Sequence, residues 1–101
     1  MRTILFFDLP SITNLDKKYY RNFIKLLKSN GFYMIQESVY VKMSIDIQRA
    51  ESSVSYIKSQ LPPKGSVLAL HITEKQFASM EVLLGVIKSE FISSDERIIR
   101  L

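Results

Sequence analysis

The chain has 101 residues, of which 47% are hydrophobic and 11% aromatic, so it is one small domain with a core rather than a disordered segment. It contains no cysteine, which excludes disulfides, thiolate metal sites and thiol nucleophiles and fits a reducing compartment. Its net charge of +4 favours an anionic partner such as nucleic acid.

No membrane segment is expected, because no apolar run approaches the roughly 18 residues that span a bilayer. The first residues do not resemble a signal peptide, since Arg2 is followed by only a short apolar run that Asp8 and Pro10 interrupt. We therefore expect a cytoplasmic protein.

The first predicted element is a strand over residues 3–9, which ends at Pro10 because proline cannot donate to a β-ladder. Side chains alternate between the two faces of a strand. Asp8 therefore shares a face with Phe6, where an ionised carboxylate is costly unless a metal, a cation or a hydrogen-bond donor meets it. One face carries Leu5, Phe7 and Leu9, and the other carries Ile4, Phe6 and Asp8.

A helix is predicted to begin near Thr13 or Asn14 and to end at about Ser29. Asp16 suits the positive end of its dipole, and Gly31 suits a left-handed cap after its last turn. The apolar half of the helical wheel holds Leu15, Tyr19, Tyr20, Phe23, Ile24, Leu26 and Leu27, and the basic half holds Lys17, Lys18, Arg21, Lys25 and Lys28.

The basic half of this helix has two interpretations. A row of cations on a rigid helix can follow a phosphate backbone, whereas an isolated charged face is more often only solvated. No acid follows Asp16 on the helix to neutralise the row, and this segregation favours phosphate binding.

Residues 32–43 are rich in aromatic and branched side chains but too long for one strand of about five or six residues. They are predicted to form two antiparallel strands with a tight turn near Gln36-Glu37. In the second strand, Val39, Val41 and Met43 face one side, and Ser38, Tyr40 and Lys42 face the other.

A second helix follows, capped by Ser44 or Asp46 and ended by Pro62-Pro63. Residues 66–72 then form a strand that is apolar on both faces apart from His71, which predicts a central or doubly covered position. The core stripe of the helix is Ile47, Ala50, Val54, Ile57 and Leu61.

The last predicted elements are a short helical turn capped by Thr73 and a final strand over residues 81–87. We therefore place one domain at residues 1–87 and an interaction tail at residues 88–101. The order of elements predicts an α+β fold, a ferredoxin-like βαββαβ sandwich with an appended C-terminal strand.

Such a fold covers one face of a four-stranded antiparallel sheet with two helices and leaves the other face open. Depending on strand register, the open face carries Phe6, Tyr40 or other large side chains. An exposed aromatic face usually has a partner, and the two natural ones are RNA stacked on the sheet or a second copy of the chain. The glycine-aromatic signature of RNA stacking is missing from residues 38–42.

Asp8 is the main candidate for chemistry. Mg²⁺ usually binds one or two carboxylates together with water and phosphate oxygens, and no other acid is spaced to pair with Asp8. A hydrolytic metal site would therefore need an Asp8 from each of two chains. The alternative, which the residues alone favour, is a loop brace in which Asp8 accepts hydrogen bonds from the backbone of Ser11 or Thr13.

Two other residues are weaker candidates. His71, the only histidine, is expected to be a packed or surface residue rather than a general base. Ser38 lacks the glycine elbow of a nucleophilic serine.

Several segments together resemble the CRISPR-associated protein 2 family, and the match extends over nearly the whole chain. The sequences of residues 7–10 and 73–76 are most similar to those of members from type II systems. The segments are Phe7-Asp8-Leu9-Pro10, Tyr20-Arg21-Asn22-Phe23, Gly31-Phe32 and Gln36-Glu37-Ser38-Val39-Tyr40.

The resemblance implies a symmetric homodimer with facing sheets, in which the strand over residues 81–87 pairs with the sheet of the partner. It implies that Asp8 lies near the dimer axis as a Mg²⁺ ligand of a metal-dependent endonuclease acting on RNA or DNA. A toxin-type metal-dependent ribonuclease of the same fold is the alternative function.

The resemblance also implies a scaffold role in CRISPR adaptation. In that role the dimer bridges dimers of the CRISPR integrase subunit while new spacers are acquired, and residues 97–101 dock on the integrase. Duplex DNA is then held by the basic half of the first helix, namely Lys17, Lys18, Arg21, Lys25 and Lys28.

Overall fold

The structure is a computed structural model that describes residues 1–85. The predicted tail at residues 88–101, and the end of the predicted last strand, lie outside the described residues. The elements are β1 (Arg2–Asp8), α1 (Asn14–Ser29), β2 (Tyr33–Gln36), β3 (Val39–Met43), α2 (Ile47–Lys58), β4 (Ser66–Ile72) and α3 (Glu74–Ala78).

The four strands form one antiparallel sheet in the order β2-β3-β1-β4. The predicted α+β class and the predicted βαββαβ order are confirmed, and the topology is compatible with a ferredoxin-like fold. β1 lies at the centre, with Phe6 opposite Val39 of β3 and Leu68 of β4, and with Asp8 opposite Ser66.

Both long helices cover the same face of the sheet. The main core joins Leu5 and Phe7 of β1 to Phe23 and Leu27 of α1 and to Ile57 of α2. Within this core the rings of Phe7 and Phe23 meet edge to face, with their centroids 5.2 Å apart. Leu15 and Tyr19, also assigned to the apolar half of α1, are exposed instead.

Tyr40 belongs to this core, which corrects the expectation that it lies on the open face. It is opposite Leu5 in the β1–β3 ladder, and residues paired across a ladder share a face. Only 4% of Tyr40 is therefore exposed, whereas Phe6 on the other face is 38% exposed.

The helix starts follow their capping residues. Thr13 caps α1 in a capping box with Asp16, Asp46 caps α2, and Thr73 caps α3. The predicted end of α2 at Pro62-Pro63 is late. The helix ends at Lys58, and Ser59 is its C-cap residue. Leu61 is consequently outside the helix and 44% exposed, so it is not part of the core stripe.

The second face of the sheet is only half open, because α3 lies on the end nearest Arg2. A second core of Ile4, Ile35 and Val41 forms there, and Phe77 of α3 packs against it. The Arg2 guanidinium lies over the Phe77 ring, 4.4 Å from its centroid.

The predicted position of β4 is wrong. Within residues 1–85, β4 pairs only with β1 and forms an edge of the sheet, and Leu68 and Leu70 of its open face are 64% and 50% exposed. Residues 81–85 form no strand either, which corrects that part of the predicted last strand. A strand needs a ladder partner, and the described part of the chain offers these residues none.

None of the helices in residues 1–85 has the length and apolar character needed to cross a membrane.

Candidate functional site

Asp8 lies exposed at the end of β1, on the half of the sheet face that α3 leaves bare. Within the described residues, its carboxylate makes no hydrogen bond and no ion pair. The loop-brace interpretation is therefore wrong. The backbone N–H of Thr13 donates to Asp16 instead, at 3.2 Å, because the capping box uses that donor.

The backbone on either side of Asp8 is fixed by packing. Phe7 and Leu9 are buried in the main core, and the loop before β4 presses its Gly65 against the same segment. A Cβ at Gly65 would lie 2.6 Å from Leu9 Cδ2 and 2.8 Å from the Asp8 carbonyl oxygen. The end of β1 thus holds an exposed carboxylate on a backbone that packing keeps in place.

The ligand-type side chains of residues 1–85 do not form a metal cage. No group of three or more His, Cys, Asp or Glu side chains comes together among residues 1–85. Asp8 contributes one carboxylate, which fits Mg²⁺ only as part of a set that a second chain and phosphate oxygens would complete.

An apolar patch adjoins Asp8 on the bare half of the sheet. Phe6, Leu68 and Leu70 are all at least 38% exposed, and half-buried Val39 lies opposite Phe6. We call these four residues the bare patch. Large apolar side chains grouped on one sheet face are typical of a surface that a partner covers.

The predicted basic residues are all exposed on α1, the layer on the other side of the sheet from Asp8. None of them forms an ion pair within residues 1–85, so their charges are not neutralised there. Lys17 and Arg21 line a cleft beside the end of β1, and Lys18, Lys25 and Lys28 do not line it.

Sequence reasoning missed a cleft of about 500 Å³ that opens beside the end of β1. It lies between the start of α1 and the turn that joins β2 to β3, and we call it the hairpin cleft. The turn predicted near Gln36-Glu37 was the only signal for it in the sequence. The cleft is lined by Leu9, Ser11, Lys17, Tyr20, Arg21, Glu37 and Ser38.

His71 is a packed residue, as expected. Its Nδ1 lies 2.8 Å from the Oγ1 of Thr3, a buried residue opposite it in the β1–β4 ladder. Thr3 is five residues from Asp8, or about 16 Å along the strand at ~3.3 Å per residue. His71 therefore takes no part in the candidate site.

Together these features define a small α+β sandwich with an exposed strand-end acid, a bare apolar patch and a cationic helix. Residues 1–80 match the family model described as CRISPR associated protein Cas2. The chain therefore belongs to the Cas2 family, which confirms the family resemblance.

Three curated relatives illustrate the similarity, and each is named "CRISPR-associated endoribonuclease Cas2". The relative from Treponema denticola is 44% identical over 101 residues, covering all of both chains. The one from Ligilactobacillus salivarius is 46% identical with the same full coverage. The one from Streptococcus mutans is 41% identical over all of this chain and 93% of its own length.

Proposed function

We propose that this chain is a metal-dependent endoribonuclease of CRISPR systems that acts as a symmetric homodimer, with the Asp8 of each copy at a shared Mg²⁺ site. The observation that carries the proposal is the exposed Asp8 carboxylate, which has no partner within residues 1–85 yet stands on a fixed backbone. The endoribonuclease names of the relatives support the reaction class.

The homodimer is supported by the surface around Asp8. The bare patch lies on the sheet face that carries Asp8, and its two leucines belong to β4, an edge strand within residues 1–85. A second copy packed on this face would bury the exposed leucines and bring two carboxylates towards one axis. Such a pair would supply the one or two carboxylates that Mg²⁺ usually binds together with phosphate oxygens.

Each part of the chain then has a role in phosphodiester cleavage. Bound Mg²⁺ would supply a Lewis acid for the phosphate and lower the pKa of a water molecule. Asp8 would hold the ion, and the packed backbone around it would fix the carboxylate without rearrangement. Lys17 and Arg21 lie at the same end of β1 and would hold the RNA backbone by its phosphates.

The test is cleavage of single-stranded RNA with Mg²⁺, with EDTA, and by the Asp8→Ala and Asp8→Asn variants. Metal stabilisation of a transition state is worth several kcal/mol, so we expect each variant to cleave at least about a hundredfold more slowly. Glu51→Ala removes another exposed acid, which lies on α2, and should cleave normally. Undiminished cleavage by Asp8→Ala would overturn the proposal.

A second function, favoured by the row of un-neutralised cations on α1, is that of a scaffold in spacer acquisition. In this role the dimer binds duplex DNA through Lys17, Lys18, Arg21, Lys25 and Lys28 and bridges dimers of the integrase subunit. Lys25 and Lys28 do not line the hairpin cleft and lie in the later turns of α1, so they can serve a duplex without serving cleavage.

The scaffold role is tested by the salt dependence of duplex binding. Each phosphate contact adds about 0.9 to the slope of log affinity against log salt, so Lys25→Ala combined with Lys28→Ala should lower that slope by about 1.8 for each protomer of the dimer that contacts the duplex. The control combines Lys58→Ala with Lys75→Ala, two exposed lysines outside α1. An unchanged slope in the α1 variant would show that this helix is not the DNA surface.

A further inference from the structure

The hairpin cleft has walls of opposite charge. Lys17 and Arg21 lie one turn apart on α1, and Glu37 faces them from the turn between β2 and β3. All three are exposed, and none forms an ion pair within residues 1–85. The charges are therefore available to a ligand between the walls.

The wall that carries Glu37 is joined to the central strand by the residue that follows Glu37. Ser38 adopts a φ of +64°, a left-handed conformation that costs a non-glycine residue roughly 1–2 kcal/mol. Its carbonyl accepts a hydrogen bond from the backbone N–H of Phe7 at 3.1 Å, which ties the turn to β1. The β2–β3 ladder also shifts register between Met34 and Gln36, and such irregularities redirect the following side chains.

The inner side of the cleft is aromatic. The Tyr20 ring lines it and meets Phe7 edge on, with 6.4 Å between centroids. Burial raises the pKa of the Tyr40 phenol, and the nearby Tyr20 and Glu37 raise it further. Glu37 itself lines the cleft, and it lies close enough to the Tyr40 phenol to affect its pKa.

This combination does not suit a bare phosphate. A phosphate on Lys17 and Arg21 would gain from two cations but would be repelled by Glu37. An ionised carboxylate is only an acceptor, so the ligand must carry a hydrogen-bond donor beside its anionic group. In a nucleic-acid backbone the ribose 2′-hydroxyl is such a donor, and the deoxyribose backbone has none.

We propose that the hairpin cleft is a ribonucleotide subsite, in which Lys17 and Arg21 bind a backbone phosphate and Glu37 accepts a hydrogen bond from the ribose 2′-hydroxyl. The subsite selects RNA over DNA. It rests on the proposed endoribonuclease function and names the sugar that this function requires. Carboxylates bind ribose hydroxyls in the same way in dinucleotide sites.

The experiment measures binding rather than cleavage. The full chain is titrated, in EDTA, against labelled single strands of one uracil sequence with ribose, deoxyribose or 2′-O-methylribose. The 2′-O-methyl strand keeps an RNA-like sugar but lacks the donor. The parent chain should bind ribose about tenfold more tightly than either other strand, which is the scale of one charge-assisted hydrogen bond.

Glu37→Ala should bring the ribose-to-deoxyribose affinity ratio close to one, and Glu51→Ala should leave it unchanged. Loss of the carboxylate also removes repulsion from phosphate, so the ratio and not the absolute affinity is the readout. Thermal unfolding of both variants checks that they fold. Two results would overturn the subsite: a ribose-to-deoxyribose affinity ratio that Glu37→Ala leaves unchanged, or no measurable binding of the ribose strand.

The subsite and the nuclease can fail separately. Selective ribose binding without Asp8-dependent cleavage would keep the subsite and reject the nuclease. Asp8-dependent cleavage with no Glu37-dependent selectivity would do the reverse.

Discussion

Gly65 is the residue on which the position of Asp8 depends most directly. It has a φ of +106°, and a Cβ there would meet both Leu9 and the Asp8 carbonyl at less than 3.0 Å. The Asp8 carbonyl is backbone, so the clash cannot be relieved by rotating a side chain. A side chain at position 65 must therefore move the end of β1.

Gly65→Ala should lower the free energy of unfolding by about 2–4 kcal/mol, because backbone strain and overpacking act together. Gly85→Ala is a matched control, since Gly85 also has a positive φ, +88°, but a Cβ there would meet no atom of residues 1–85 within 4 Å. It should cost only about 1 kcal/mol, from strain alone. Urea unfolding measures both, and equal losses would mean that packing at Gly65 contributes nothing.

At the scale of single residues, the sequence predicted the sheet face on which a side chain lies better than it predicted hydrogen-bond partners. Strand alternation predicted that Asp8 shares a face with Phe6, and both are exposed on that face. The hydrogen-bond partner of Thr13 could not be predicted in the same way, because Thr13 has one backbone N–H and the sequence has an acid on either side of it, Asp8 and Asp16. In the structure this N–H donates to Asp16, as part of the capping box.

Among the elements, α3 depends on a small polar cluster at the start of the chain. Glu74 accepts a hydrogen bond from Arg2 Nε at 2.7 Å and lies 3.6 Å from the N-terminal amine. Arg2 also donates to the Tyr33 hydroxyl and covers the Phe77 ring. The helix has only five residues, so these contacts and Phe77 hold it on the sheet rather than its own hydrogen bonds.

The cluster predicts a loss of stability in acid. The hydrogen bond from Arg2, and then the charges of Arg2 and the N-terminus, hold the pKa of Glu74 below its usual range. A folded-state pKa below the unfolded value gives stability that is present above about pH 4.5 and is lost as pH falls through the folded pKa. The pair is half exposed, so its contribution is under about 1 kcal/mol.

Unfolding in urea should therefore show a larger loss from pH 6 to pH 3 for the parent chain than for Glu74→Gln. Glu51→Gln, a change at an exposed acid of α2 without an ion pair in residues 1–85, should follow the parent. If the Glu74→Gln and parent profiles are parallel, Arg2 does not stabilise the fold through Glu74.

The first residues of the helices were easier to predict than the surfaces that pack against each element. Thr13, Asp46 and Thr73 each cap a helix where predicted, because capping depends on a few adjacent residues. Which residues pack against β4 depends on parts of the molecule that are distant in sequence. An apolar strand does not show whether those residues come from its own chain or from another. The hairpin cleft was missed for the same reason, since its walls come from two separate parts of the chain.

For the whole molecule, the misjudged position of β4 becomes evidence for a second copy. Its apolar residues predicted a covered strand, yet Leu68 and Leu70 are exposed within the described residues. A second copy of the chain would cover the apolar residues of β4 that residues 1–85 leave exposed. The proposed homodimer thus explains both the composition of β4 and the position of Asp8 beside it.

We expect Leu68→Glu to weaken self-association. In a symmetric interface each substitution occurs twice, and each buried leucine is worth about 1.5–3 kcal/mol, so dimerisation should weaken by at least about a hundredfold. Ile45→Glu is the control, because Ile45 is 83% exposed but lies in the loop before α2. Sedimentation velocity over a range of concentrations separates monomer from dimer, and a Leu68→Glu chain that stays dimeric would place the interface elsewhere. The same variant should lose Asp8-dependent cleavage while keeping the ribose selectivity of the hairpin cleft, since only the metal site is proposed to need two copies.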